Sequence, residues 1–163
     1  MLLGVVSDTH NNFKNIAKII EIFNANSVDL VIHTGDITNS KSLRLFSDLE
    51  AKLIGVYGNN DLYEHDLEDT CREFNFLFKL PPLNILEAGI KISIFHEPEY
   101  IDSHLEKFPQ TSLIFHGHTH RYRNEKINNC LIINPGESAG LIKGSNALGL
   151  IDLPSLNYRR ILF

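Results

Sequence analysis

The 163-residue chain is 43% hydrophobic and 21% charged, which excludes a disordered or fibrous polymer and leaves room for a single domain, residues 1–163, with a core of its own. Its formal net charge of −5 argues against a surface built to track a nucleic-acid backbone. No run of about 18 apolar residues offers a membrane span, and neither a basic leader nor a zinc or redox spacing of Cys71 and Cys130 is present, so a cytoplasmic protein with free thiols is expected.

In chain order, "LLGVVS" (2–7) reads as a strand buried on both faces, and Ile16, Ile19, Ile20 and Phe23 recur at helical spacing over 13–26. A strand over 30–35, a helix around 40–50, a strand over 52–58 and a helix near 66–75 complete a β-α-β-α-β series, for which parallel strands are expected. "FNFLFKLPPLNIL" (74–86) reads as core plus a connection broken by Pro81-Pro82, with a partner-binding patch as the alternative. Residues 83–97 form a hairpin turning at Ala88-Gly89, then come a helix near 99–108 and the strand "SLIFHG". Two further hairpins are expected, turning at Asn128-Asn129 and Pro154-Ser155, so the C-terminal half should be mainly antiparallel. The fold class is therefore α/β, with two packed mixed sheets flanked by helices.

The polar residues cluster after the strands. "VVS" runs into Asp8-Thr9-His10, "VIHTG" into Asp36, "VYG" into Asn59-Asn60-Asp61, "SIF" into His96, and "LIF" into His116-Gly117-His118-Thr119-His120. Ligands of parallel α/β units gather at the carboxyl ends of strands, so these five loops are candidates for one site. Alternate residues on a strand share a face, so the three histidines of "HGHTH" form either part of a metal site or a polar edge. Carboxylate, amide and imidazole donors without thiolates fit Mn, Fe, Ni or Zn. Asp8, His10, Asp36, Asn59, His96, His118 and His120 exceed what one ion needs and suit two ions sharing a carboxylate. Gly35, Gly58 and Gly117 stand where close backbone approach would be needed. His33, inside a strand, reads as a buried partner to the carboxylates rather than a ligand; His65 and His104 read as exposed.

In this order, "DTH", "HTGD", "GNND", the lone His96 and "GHTH" resemble the calcineurin-like metallophosphoesterases, and the whole length, with "INPGE" at 133–137, resembles their compact prokaryotic phosphodiesterase branch. The resemblance implies a two-sheet αββα sandwich. It implies one ion on Asp8, His10, Asp36 and His120 and a second on Asp36, Asn59, His96 and His118, with Asp36 the bridge and His116 outside the set. Both would be divalent, Mn²⁺ first and Ni²⁺, Fe or Zn²⁺ as alternatives. The implied reaction is in-line attack of a metal-bridging hydroxide on a small phosphodiester, a cyclic nucleotide among the candidates, with Asp36, Asn59 and His118 as catalytic residues. No membrane or nucleic acid is expected as partner; a homo-oligomer is admitted.

Two departures bear on substrate. Many superfamily phosphatases carry a proton-donating histidine where this chain has Asn60, which disfavours monoesters with poor leaving groups. Relatives also commonly read "HGH" where this chain has His96-Glu97-Pro98, which would put a carboxylate beside the ions if Glu97 points inward, and Arg121 and Arg123 are candidates for gripping a phosphate. The rival reading is an interaction scaffold similar to the retromer subunit of this fold; a phosphomonoesterase is the other alternative.

Overall fold

The computed structural model describes residues 1–153 and 155–163. Strands β1 (Leu2–Val6), β2 (Leu30–His33) and β3 (Lys52–Val56) alternate with helices α1 (Phe13–Ala25) and α2 (Ser40–Leu45), and α3 (Asp66–Phe74) follows. Then come β4 (Leu77–Lys79), β5 (Leu83–Glu87), β6 (Ile90–Ile94), α4 (Ile101–Lys107), β7 (Leu113–Phe115), β8 (Arg123–Ile127), β9 (Cys130–Asn134), β10 (Ala147–Asp152) and β11 (Asn157–Leu162).

One sheet has the order β11-β10-β1-β2-β3-β4, and the other β5-β6-β7-β9-β8. The pairs β1·β2 and β2·β3 are parallel as the helical crossovers require, while β6·β7 and β7·β9 make the second sheet mixed rather than mainly antiparallel. Leu3, Val5, Ile32 and Val56 of the first sheet meet Ile92, Ile94, Leu113 and Phe115 of the second in the central core. Outside the first sheet, α1 buries Ile16, Ile19 and Phe23 with Leu43, Phe46 and Leu67 of the other helices. Outside the second, Ile101 of α4 covers Phe95, Ile114 and Ile132. The result is the αββα sandwich. Each fully buried Ile, Leu or Phe contributes about 1.5–3 kcal/mol, so the layers hold the strand ends rigidly.

Several local expectations are corrected. The helix around 40–50 is shorter, α2 followed by a single 3₁₀ turn over Phe46–Asp48. Asn12 caps α1, its side chain accepting from the Asn15 N–H at 3.1 Å. Residues 74–86 are core only in part: Phe78 is buried and Phe76, Leu83 and Ile85 pack partly buried against the core, while Leu77, Leu80 and Leu86 are exposed, and Phe78 lies on β4, a strand the sequence did not announce. His104 is buried rather than exposed, its Nε2 lying 2.9 Å from Ser93 Oγ between Phe95 and Phe108. In the Pro154-Ser155 turn, Pro154 lies outside the described residues.

Candidate metal centre

The chain leaves β1, β2, β3, β6 and β7 at one end of the sandwich, and the loops there are stitched together by backbone bonds. Asp8 N–H donates to Gly35 O, His10 N–H to Asp36 O, and Gly117 N–H to His96 O, at 3.1, 2.9 and 3.0 Å. Close approach depends on three positions that lack a Cβ, Gly35, Gly58 and Gly117. A side chain at Gly58 would strike the Asp36 carboxylate, and one at Gly117 would strike Ser7 Oγ and Asp8 Oδ2.

All seven candidate ligands meet here. Asn59 Oδ1 lies 3.0 Å from His96 Nε2 and 3.1 Å from His118 Nδ1, and His96 Nε2 lies 3.5 Å from Asp36 Oδ2. On the other side, His120 Nε2 lies 3.4 Å from Asp8 Oδ1 and His10 Nε2 lies 3.9 Å from Asp36 Oδ2. Donor atoms each about 2.1 Å from one ion sit roughly 3–3.5 Å apart, so these separations fit cation ligation. The donors of Asp8, His10 and His120, and those of Asp8, Asp36 and His96, form two groups whose atoms lie within 4.8 Å of one another. Asp8 belongs to both groups, and Asp36 Oδ2 lies between His96 Nε2 at 3.5 Å and His10 Nε2 at 3.9 Å.

Two observations set this cluster apart. His10 Nε2 is buried and has no hydrogen-bond partner, although its Nδ1 meets Thr38 Oγ1 at 3.2 Å. Asp8, His10, Asp36, His118 and His120 all adopt positive φ, between 44° and 67°. Left-handed backbone is uncommon for residues with a side chain, and five of the eleven such positions among the described residues fall on these candidates. It also corrects the strand reading of "HGHTH": β7 ends at Phe115, and His118 and His120 reach the cluster through left-handed turns.

Around the cluster lies a set of buried supports. Burial alone would push the Asp36 carboxyl up, but His96 and Asn60 outweigh it and hold Asp36 well below the usual carboxylate range. Asn60 donates to both Asp36 oxygens, from its backbone N–H at 3.0 Å and its side-chain amide at 2.8 Å. Asp61 accepts the N–H groups of Asp36, Thr38 and Gly58 at 2.7–2.8 Å, fixing two ligand loops to each other. His33 does the same on the other flank: its Nδ1 accepts the Gly35 N–H at 3.1 Å, leaving Nε2–H to donate to Thr9 Oγ1 at 3.0 Å. Burial pushes His33 down to about 3, so it stays neutral, the supporting role its sequence position implied. His96 Nδ1 meets Thr34 O at 2.8 Å, which aims Nε2 at the cluster.

His33 was legible in the sequence as a support; Asp61 and Glu137 were not. Glu137 is fully buried and accepts the N–H groups of Gly140 and Ile142 at 2.8 and 3.1 Å, shaping the loop after β9 that leans on the Asp8 backbone. Its place in "INPGE" was the only available signal. His116 lies outside the cluster, buried against Gly117 O and Asn134 and pushed down by burial to about 4. Glu97 lines a 340 Å³ cavity with Pro81, Tyr100 and Lys107 instead of joining the donors. Arg123 is taken by Glu125 at 2.5 Å and by His116 at 3.4 Å, whereas Arg121 is exposed.

This chain and this fold have known relatives. The calcineurin-like phosphoesterase superfamily domain matches residues 1–154. The chain belongs to that superfamily. Phosphodiesterase MJ0936 of Methanocaldococcus jannaschii is 34% identical, the alignment covering 99% of each chain. A solved structure described as a novel archaeal phosphodiesterase superposes with a TM-score of 0.91 at 32% identity, over all of both chains. Two more distant structures share the fold: the phosphoesterase Yfce from E. coli (TM-score 0.70, 18% identity, 99% of this chain and 98% of the other), and Vps29 from Entamoeba histolytica complexed with Zn²⁺ (0.71, 16%, 99% of both).

Proposed function

We propose that this calcineurin-like phosphoesterase hydrolyses a small phosphodiester with the help of two divalent cations, held by Asp8, His10, Asp36 and His120 on one side and by Asp36, Asn59, His96 and His118 on the other. The reading is carried by the convergence of these seven donors around Asp36, whose carboxylate is ionised and faces an unpartnered His10 nitrogen. It is supported by the full-length likeness to an archaeal phosphodiesterase. When bound, the two cations supply a nucleophilic water at neutral pH and neutralise charge on the phosphoryl oxygens.

The residues divide the remaining work. Asn60 and Asp61 hold Asp36 so that it does not rotate when substrate arrives. His118, exposed at the rim and 3.1 Å from Asn59 Oδ1, is placed to orient the ester oxygen, and Arg121 is the exposed cation on the same loop. Asn60 is no acid, so the leaving oxygen must depart with little proton help, which favours a diester or aryl ester over an alkyl monoester. Glu97 lines a separate cavity and does not oppose an anionic substrate at the cluster. A cyclic nucleotide is one diester of suitable size. Mn²⁺ suits the mixed oxygen and imidazole donors, with Ni²⁺, Fe or Zn²⁺ able to replace it. The cytoplasm is the compartment that two buried, unpaired cysteines support. Among the described residues, no helix is long and apolar enough to cross a membrane.

The deciding experiment compares bis(p-nitrophenyl) phosphate with p-nitrophenyl phosphate, using chelated protein with Mn²⁺ or Ni²⁺ added back. Metal-dependent diester turnover well above monoester turnover is expected. Two bound ions with neither ester hydrolysed would replace the enzyme reading with the scaffold.

A further inference from the structure

The two open sides of the sandwich are unlike. On one side the edge strands are β11 and β8, which carry Arg159, Arg160, Arg123, Glu125 and Lys126, the charged composition that protects edges from pairing. On the other side the edges are β4 and β5, consecutive in the chain and joined by Leu80-Pro81-Pro82. Here Leu77, Leu80 and Leu86 are 42%, 66% and 64% exposed, both prolines are exposed, and Phe76 is half-buried. A groove of 770 Å³ between α3 and β4 opens beside the projecting Leu80 corner.

We propose that this side is the interface of a two-fold homodimer. The β4 and β5 edges present unpaired backbone groups beside exposed apolar side chains, an arrangement suited to pairing with another strand edge. A two-fold contact needs a surface that complements itself. The patch meets this in shape, with a corner and a groove side by side, and in charge. Glu68 and Glu87 stand with Lys79 and Lys91 around the apolar strip, and none of the four has an ion-pair partner among the described residues. A chain with net charge −5 thus has a locally balanced face, where a partner of a single charge sign would find no preference but a second copy would. The Leu80 corner lies at the ligand-loop end and lines a recess with Tyr57, Asp61 and Leu62, but none of the seven candidate ligands lines that recess or the groove.

Sedimentation equilibrium and light scattering on the full chain, over a dilution series, test this. The expected result is twice the chain mass, falling to the monomer mass for Leu80→Lys and for Leu86→Lys with unchanged circular dichroism and metal content. A charge reversal on the opposite edge, Arg159→Glu, should leave the dimer intact. Should a lysine variant fail to fold, hydrogen exchange on the wild-type protein replaces it: amides of β4 and β5 should lose protection on dilution while β8 and β11 do not change. A wild-type monomer at every concentration would assign the face to a different partner and overturn the proposal. So would a dimer that survives both lysine substitutions.

Discussion

Asn60 shows how one side chain can do two things at once. It removes a proton donor from the site, and it clamps both oxygens of Asp36. Asn60→His is therefore expected to shift the ratio of monoester to diester turnover upward, toward the roughly 10²-fold that general-acid help supplies, while weakening metal affinity through the lost clamp. Steady-state kinetics on the two nitrophenyl esters, with titrated metal, reads both effects. Asp36→Asn should bind neither ion firmly and show no turnover, with the fold intact by circular dichroism; wild-type activity in that variant would remove Asp36 from its central role. His116 gives a different residue-scale prediction. Its pKa falls from 6.5 unfolded to about 4 folded, so its contribution is fully present above 6.5 and fades as pH falls toward 4. That interval corresponds to about 3 kcal/mol, and His116→Gln should flatten acid unfolding accordingly. The histidines also show what sequence alone could resolve. The spacing of "HGHTH" singled out the segment, but only left-handed turns at His118 and His120 send these two side chains to the cluster while His116 turns inward.

At the level of elements, the site depends on loops that pass one another at backbone distance. Gly58→Ala should push the Asp36 carboxylate aside, costing about 1–3 kcal/mol of stability and most of the metal affinity, as differential scanning fluorimetry and calorimetric titration would measure. The strand-then-ligand pattern of β1, β2, β3 and β6 was legible because buried parallel strands are continuous apolar runs that stop abruptly at polar residues. Strand β4 was not, since three residues paired on one side carry no period, and the apolar run around it looked like core. Nothing in "FNFLFKLPPLNIL" distinguishes apolar residues that face inward from apolar residues left outside. Asp61 was equally obscure, because its bonds to backbone N–H groups of other loops follow from tertiary packing and not from spacing, whereas His33 stood out as a histidine inside an apolar strand three residues before Asp36.

For the whole molecule, the buried histidines set a pH dependence with two limbs. Burial would lower His96, but Asp36 outweighs it and raises the group, while the Asp8 carboxylate raises His120. Their contribution to the metal-free protein is present below 6.5 and is lost as pH rises through the raised values. His33 and His116 lose theirs as pH falls below the same 6.5, so the melting temperature of chelated protein should peak near that pH. Metal loading should abolish the alkaline limb, because the ions need neutral imidazoles and release their protons. Excess Mn²⁺ at about 100 times its dissociation constant should add about 2.7 kcal/mol, reversed by chelator.

The ligand loops come from both sheets, and Asp8 and His120 stand at opposite ends of the set in sequence yet 3.4 Å apart in space. Such a cluster acts as a clasp that cannot close until the two sheets have docked. Cations should therefore find no complete site in the folding transition state, and their stabilisation should appear in the lifetime of the native state. In stopped-flow experiments with and without metal, the unfolding limb should slow by nearly the full equilibrium gain, and the refolding limb should stay where it is.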